Sequence, residues 1–185
     1  SGHLTSLTAF YQLREGHELS AVFNGGDFTN GIGDTGGRAR NLLYVPTGAG
    51  DPNVIFDPGF DQAAFFAFTD GEGFARGAIA GKGGLSEDWQ SDLDIRIQQE
   101  IPLGFGEAKL KVYLDFENVF NMLNDSNGTK RYFVPTDIDS AIGVVDASVD
   151  PVTGVYTSTN FTPPVEAPDS IDSLYRIQLG IRGEF

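Results

Sequence analysis

The sequence contains no cysteine, one methionine, one tryptophan and two histidines among its 185 residues. Without cysteine, the chain can form neither a disulfide framework nor a thiolate metal centre. The histidines are His3, close to the start, and His17, in the segment "EGH". Neither can be combined with other residues into a credible Ser–His–Asp or metal triad. We therefore expect no enzymatic activity.

Basic residues and long apolar runs are also scarce. Lysine and arginine together number 12 against 26 aspartates and glutamates, which gives a formal net charge of −14. A nucleic-acid-binding protein needs a basic face, so we expect no nucleic acid partner. The sequence has no apolar run of about 18 residues and therefore predicts no transmembrane helix.

Glycine and phenylalanine, by contrast, are abundant, with 24 and 15 copies, and 40% of the residues are hydrophobic. This composition is typical of a folded, turn-rich β protein. Alternation of apolar and polar residues predicts five strands, and these lie at about residues 4–14, 18–26, 91–101, 108–120 and 173–185. The sequence therefore predicts an all-β fold.

The same alternation assigns strand residues to two faces. One face of the third and fourth strands is apolar and consists of Leu93, Ile95, Ile97, Leu110, Val112, Leu114 and Phe116. The opposite face is charged and contains Asp94, Arg96, Glu100, Lys109, Lys111 and Asp115. The last strand alternates in the same way, with apolar positions at Tyr175, Ile177, Leu179 and Ile181, before Phe185. A sheet with this pattern has one apolar and one polar side.

The connections between the predicted strands are alternately short and long. "EGH" is predicted to be a tight turn between the first two strands, and "PLGFGE" joins the third and fourth. Segments 27–90 and 121–172 are long and carry net charges of −5 and −6. Short turns on one side and long external loops on the other are typical of outer-membrane β-barrels. A strand of about 12 residues, tilted by about 45°, would also cross a hydrocarbon layer of about 30 Å.

Three segments between about residues 40 and 125 carry a more specific pattern. They are "RNLLYVPTGAGDPNVIFDPGFDQAAFFAF", "RGAIAGKGGLSEDWQSDLDIRIQQEIPLGFG" and "KLKVYLDFENVFNMLND". Together with the final strand, they resemble the C-terminal end of TonB-dependent receptors, and in particular the Oar-like subgroup. The resemblance implies that residues 1–185 are the C-terminal segment of an antiparallel transmembrane β-barrel of about 22 strands, with 27–90 and 121–172 as external loops.

The resemblance also implies a location and a set of partners. The location is the outer membrane of a Gram-negative bacterium, and the function is transport of a solute with energy from the inner membrane. The apolar strand face would contact outer-membrane lipid. The barrel-assembly machinery would recognise the C-terminal signal formed by Tyr175, Ile177, Leu179, Ile181 and Phe185. The TonB energy-coupling complex would act through N-terminal regions that this sequence does not contain.

Two acidic segments, 51–61 and 137–150, raise the question of calcium, which binds six to eight oxygen ligands. The candidate ligands are Asp137, Asp139, Asp146 and Asp150. Neither segment has the spacing of an EF-hand, so a solvated acidic loop is the favoured interpretation and no cofactor is predicted.

Aromatic residues suggest two further local features. The segment "FDQAAFFAF" (60–68) is consistent with a short amphipathic helix inside the first long loop. Trp89, Tyr113, Phe120 and Tyr175 are candidates for an aromatic girdle at a membrane surface.

Two other classes of protein remain open from the sequence. One is a structural or adhesive surface protein whose acidic loops bind partners or calcium. The other is a soluble β-sandwich that acts as a binding module. Dependence on detergent separates the soluble module from both the transporter and the surface protein. Energised uptake separates the transporter from the surface protein.

Overall fold

The computed structural model describes residues 3–24, 41–133 and 141–185. The chain is all-β in class, with antiparallel and mixed sheets and few helical residues. No helix in the described ranges is long and apolar enough to cross a bilayer.

The strands and helices are numbered here in chain order. The strands are Leu4–Arg14 (β1), Glu18–Asn24 (β2), Tyr44–Val45 (β3), Val54–Phe56 (β4), Ala78–Ile79 (β5), Leu85–Ser86 (β6), Gln90–Pro102 (β7), Lys109–Glu117 (β8), Arg131–Phe133 (β9), Ala141–Val149 (β10), Tyr156–Phe161 (β11), Glu166–Pro168 (β12) and Arg176–Glu184 (β13). The helices are Gln62–Gly71 (α1) and Val119–Leu123 (α2).

The chain divides into two compact units. The first, which we name the sheet unit, consists of Ser1–Glu15, Asp88–Tyr132 and Pro168–Phe185. The second, the core unit, consists of Gly16–Glu87 and Phe133–Ala167. Each unit therefore combines segments that lie far apart in the sequence.

The sheet unit is built on an antiparallel sheet with the strand order β1-β7-β8-β13. Only β7 and β8 are joined by a short turn, in which Gly104 and Gly106 adopt left-handed backbone angles, with φ of 81° and 57°. The Leu103 N–H donates to the Ala108 carbonyl at 3.0 Å and closes the turn. The glycines of "PLGFGE" are needed there because other residues rarely adopt a positive φ.

The predicted hairpin between the first two strands is wrong. β1 pairs with β7 over its whole length, whereas β2 lies between β10 and β6 in the core unit. The cause is visible in β2 itself, because residues 19–23 are all buried and the strand has no polar face. A strand buried on both sides belongs in the middle of a covered sheet rather than at the edge of an amphipathic one.

The segment "EGH" does not form a reverse turn, because it is held against Glu87 within the core unit. The His17 N–H and its Nδ1 lie 3.2 and 2.9 Å from one Glu87 carboxylate oxygen, and the other oxygen accepts the Phe133 N–H at 3.0 Å. A Cβ at Gly16 would lie 2.5 Å from the Glu87 Cβ, so this close approach requires glycine.

The core unit contains a mixed sheet with the strand order β4-β11-β10-β2-β6, in which β2 pairs with β10 and β4 with β11 in parallel. Its hydrophobic core is rich in aromatic residues, and Phe65 of α1 packs against Phe60, Phe66 and Phe161. Helix α1 confirms the short helix expected in "FDQAAFFAF", and the Asp61 carboxylate caps it by accepting the Ala64 N–H at 3.0 Å.

The segments predicted as loops are therefore folded over much of their described length. The fourth predicted strand, 108–120, also ends earlier than expected, at Glu117, because Asn118 adopts a left-handed conformation with φ of 51° and begins α2. The last strand begins at Arg176 rather than near residue 173.

Asp51 organises the connection between β3 and β4 in the core unit. Its side chain is buried, and its carboxylate accepts hydrogen bonds from the Thr47 N–H and hydroxyl at 2.7 and 3.0 Å, from the Tyr44 hydroxyl at 3.0 Å and from the Asn53 N–H at 2.8 Å. These bonds lower the pKa of Asp51 from 3.8 to about 2, and the bond from the Thr47 N–H has the largest effect. Asp51 is therefore an ionised side chain that holds this connection together through its hydrogen bonds.

The first prediction concerns Asp51→Asn. Because the folded pKa is lowered, the ionised carboxylate stabilises the fold fully above pH 3.8, and this contribution is lost as the pH falls toward 2. We expect Asp51→Asn to lower the thermal midpoint at pH 7, and the gap from the native protein to narrow between pH 5 and pH 2. Thermal unfolding followed by circular dichroism measures both effects.

Asp57 is exposed and lies just after β4, so Asp57→Asn is the matched control and should have a much smaller effect at pH 7. A gap between Asp51→Asn and the native protein that does not change with pH would contradict the assigned role.

Candidate functional site

The sheet unit has one largely apolar face, interrupted by the Thr5–Gln99 pair, because the register keeps most apolar residues of all four strands in line. The central row crosses the sheet through Leu7, Ile97, Leu114 and Leu179. The next row contains Ala9, Ile95, Phe116 and Ile177. The seven residues predicted to face lipid all lie on this face, since Leu93 is opposite Tyr11, Val112 is opposite Ile181, and Leu110 is opposite Ile101.

This face is not covered by a second layer within the described residues. Leu7, Leu179 and Ile181 are 71%, 67% and 65% exposed, and neither hydrophobic core cluster includes a residue of the face. A soluble sheet normally buries its apolar side against another layer. Exposed apolar surface of this extent indicates a contact with a partner or a membrane.

The opposite face of the sheet carries ordered ion pairs. The Arg96 guanidinium binds both carboxylate oxygens of Asp115, at 2.5 and 2.7 Å. Lys111 lies 2.8 Å from Glu184 and 3.4 Å from Glu100, and Lys109 lies 3.4 Å from both carboxylates. Each of these side chains is paired with an opposite charge.

Tyr113 also lies on this ionic face, and it is therefore not part of a girdle on the apolar side. The Arg96 guanidinium sits over the Tyr113 ring, 4.8 Å from its centroid. The ring covers Gly180, its cross-strand partner, so closely that a Cβ at Gly180 would collide with the tyrosine side chain. Glycine is required at this position because the aromatic ring occupies the space above the backbone.

Asn118 fixes the end of the sheet from which the insertions depart. Its N–H donates to the Asp94 carboxylate at 2.9 Å, and its buried side-chain amide donates to the carbonyls of Gly128 and Ser173 at 3.0 and 2.8 Å. One residue thus ties together β7 and two segments of the 118–175 insertion. Sequence analysis missed it, although an asparagine directly before an apolar helical segment is a known helix-capping signal, and asparagine tolerates a positive φ.

A cavity of about 230 Å³ lies beside Asn118 on the ionic side of the sheet. Its charged lining residues are Asp92, Asp94, Glu117, Lys130, Asp172 and Arg176. Lys130 lies 3.4 Å from Asp92, and Arg176 lies 3.7 Å from Glu117, while Asp94 and Asp172 give the lining a net negative formal charge. The arrangement can accept a polar solute, and it contains no nucleophile with an adjacent base.

The four calcium candidates do not form a site in the described structure. Asp137 and Asp139 lie outside the described residues. Asp146 accepts a hydrogen bond from the Asn160 amide at 3.2 Å, while Asp150 accepts the Val152 and Thr153 N–H groups at 2.8 and 3.2 Å. The pKa of Asp150 is lowered by these backbone bonds. Residues 3–24, 41–133 and 141–185 contain no group of three or more acidic, histidine or cysteine side chains able to hold a metal.

The residues of the predicted C-terminal signal are placed on the apolar side. Ile177, Leu179 and Ile181 alternate along β13, and Tyr175 precedes the strand. Phe185 follows the strand and is 94% exposed. Recognition of these residues by an assembly machinery remains a prediction.

The second prediction concerns Asn118. Replacement by alanine removes the amide that binds Gly128 and Ser173, and leaving such buried groups unsatisfied costs about 1–3 kcal/mol. The positive φ costs alanine about 1–2 kcal/mol more. We expect faster amide hydrogen exchange at residues 124–130 and 169–174 in Asn118→Ala.

Asn118→Gly is the matched control, because glycine loses the same hydrogen bonds but accepts the positive φ. It should be destabilised less than Asn118→Ala. Equal effects of the two substitutions would show that the backbone conformation does not matter at this position.

Comparison of the chain with protein-family models, with curated proteins and with solved structures gave no match. The functional argument therefore depends on the geometry of the two faces and of the end of the sheet.

Proposed function

We propose that the sheet unit is part of the wall of an outer-membrane β-barrel of the TonB-dependent, Oar-like kind, and that the protein takes part in the passage of a solute. In this proposal the apolar face contacts lipid and the ionic face lines the lumen. The observation that carries the proposal is the single-layered sheet with one exposed apolar face and one paired ionic face.

Strand length supports a membrane-spanning role. β1 and β7 contain 11 and 13 residues, and β8 and β13 contain 9 each. Transmembrane strands need about 9–11 residues at a tilt of about 45°, whereas strands in globular proteins have about 5–6. Several strands of the core unit have only two or three residues, but β10 has nine, so length sets apart only β1 and β7.

The connectivity of the sheet also supports the proposal. Arg14 pairs with Gln90 and Glu117 pairs with Arg176, so both long insertions leave the sheet at the same end. The short β7–β8 turn lies at the other end. This is the arrangement of external loops and periplasmic turns in outer-membrane barrels.

The core unit would then be an external domain that shapes the access of the solute. It has a hydrophobic core of its own, which simple loops lack. This observation also favours a second candidate, a surface protein whose folded acidic insertion binds a partner. The two candidates share the external position of the core unit and differ in whether the sheet encloses a transport path.

A barrel needs more strands than the sheet unit supplies. The order β1-β7-β8-β13 leaves one edge of β1 and one edge of β13 without a strand partner in the described structure. The smallest membrane barrels have about eight strands, so further strands would complete the wall. The proposal assigns the plug and the contact with the TonB complex to regions other than these residues.

The third prediction tests the two faces with adjacent residues of β13. Leu179 lies on the apolar face and Gln178 on the ionic face, beside Asp115. In a membrane, Leu179→Arg should lower the free energy of unfolding by about 2–4 kcal/mol, whereas Gln178→Arg should cost less than about 1 kcal/mol. Urea unfolding of the protein in phospholipid vesicles measures the difference.

If water covers both faces of the sheet, the two substitutions should have similarly small effects on stability. Leu179 is 67% exposed in the isolated chain, and exposed substitutions in water usually change stability by about 0.5 kcal/mol or less. Equal tolerance of arginine at positions 178 and 179 would contradict the membrane assignment and favour a soluble or surface-binding protein.

A further inference from the structure

A second cavity, of about 420 Å³, lies within the sheet unit at the end of the sheet from which the insertions depart. It is lined by Tyr11 and Ser91, which belong to the apolar side by register, and by the neighbouring Trp89 and Phe120. Its volume falls within the range of about 300–1,000 Å³ that is usual for small-molecule sites. Neither the proposed transport path nor the ion-paired cavity uses it.

Three aromatic side chains form one wall of this cavity. Trp89 and Tyr11 are 63% and 56% exposed, which is unusual for rings of their size. Tyr11 and Phe120 pack edge to face, with ring centroids 6.0 Å apart at an angle of 84°. The packing holds the Tyr11 ring in a fixed orientation, so an aromatic platform exists before any ligand binds.

A second wall is a polar segment that hydrogen bonds hold in place. The Asn127 N–H donates to the Asn124 carbonyl at 2.8 Å, and the Thr129 hydroxyl donates to the Asp125 carbonyl at 2.7 Å. The Asn118 amide holds the Gly128 carbonyl from the other side at 3.0 Å. A site that is ordered in advance loses less entropy when a ligand binds.

This wall still offers hydrogen-bonding capacity to a ligand. The Ser126 hydroxyl donates to Asn124 at 2.8 Å and, like the Thr129 hydroxyl, keeps lone pairs that can accept. Within the described part of the chain the exposed Asn127 side-chain amide makes no hydrogen bond, and it supplies two donors and one acceptor. The two charged lining residues, Asp88 and Arg131, have opposite signs, so the cavity has no net formal charge.

We propose that this cavity binds a neutral pyranose sugar ring. The C–H face of the sugar would stack on Trp89 and Tyr11, and its hydroxyls would hydrogen-bond to Ser126, Asn127 and Thr129. A pyranose combines an apolar ring face with several hydroxyls, which matches a cavity lined by both aromatic rings and hydroxyl and amide groups. The balance of charge disfavours phosphate-bearing ligands, and the strongly acidic chain adds to that effect.

The ligand could be a free saccharide or the sugar headgroup of a glycolipid, because the cavity borders the apolar face. The inference does not depend on the proposed membrane role, since the cavity belongs to the sheet unit whether lipid or water covers that face.

The test uses Trp89, the only tryptophan of the chain, as the reporter. The full chain is titrated with methyl glucoside, galactoside and mannoside, in buffer and in micelles of dodecyldimethylamine oxide. A second arm compares dodecyl maltoside with the amine oxide, which has the same alkyl chain and no sugar. We expect a saturable change of Trp89 fluorescence with half-saturation at about 10 mM or below.

Saturation by a methyl glycoside identifies a free sugar as a sufficient ligand, and saturation by dodecyl maltoside alone identifies a sugar attached to a lipid chain. Both outcomes support the site. The site is overturned if no methyl glycoside changes the fluorescence and if dodecyl maltoside changes it no more than the amine oxide does.

Variants confirm the location of binding. Tyr11→Ala should weaken binding by at least about tenfold, and the exposed Asn127→Ala, which leaves the hydrogen bonds of its segment in place, should weaken it by about threefold or more. Tyr175→Ala is the matched control, because Tyr175 is an exposed aromatic residue outside the cavity lining. Equal binding by Tyr11→Ala, Asn127→Ala and Tyr175→Ala would overturn the assignment even if the native chain responds to sugar.

Discussion

The register between β7 and β8 determines the character of both faces of the sheet unit. It places Ile97 opposite Leu114 and Arg96 opposite Asp115, so that apolar residues meet on one side and ions meet on the other. A shift of one residue would place charges among the apolar side chains along the whole strand. The bidentate Arg96–Asp115 pair is available only in the observed β7–β8 register, and the β8–β13 register in turn places Tyr113 over Gly180. The alignment of the apolar rows and the pairing of charges on the ionic face both follow from it.

The two units differ in how much of their apolar surface they bury. The core unit buries Phe65, Leu43 and Val144 almost completely, as a domain does in water. The sheet unit leaves Leu7 and Leu179 exposed and instead satisfies its charges on the other face. A single sheet with this division is stable only if another phase or another layer covers its apolar side. This difference supports the proposal that the apolar face of the sheet unit contacts lipid.

Much of the sheet unit follows from simple alternation, whereas the core unit does not. The period of two along β7, β8 and β13 correctly separated Leu114 from Asp115, because each of these strands has one polar face. In β2 the same rule failed, since Ser20 and Val22 are buried as well as Leu19 and Ala21. Strands of two or three residues, such as β3 and β5, are too short to show any period. The aromatic cavity could not be predicted either, because Tyr11, Trp89 and Asn127 come together only through the pairing of β1 with β7 and the folding of the segment after α2.

The proposal that one face of the sheet contacts lipid is tested most directly by measuring the environments of two adjacent residues in the middle of β7. The chain contains no cysteine, so Ile97→Cys and Gln98→Cys can each carry a single spin label. Electron paramagnetic resonance in phospholipid vesicles then compares collisions of each label with oxygen, which concentrates in lipid, and with a water-soluble nickel chelate. The membrane assignment predicts that the label at position 97 collides mainly with oxygen and has little access to nickel, with the opposite preference at position 98. Equal access of nickel to both positions would contradict it.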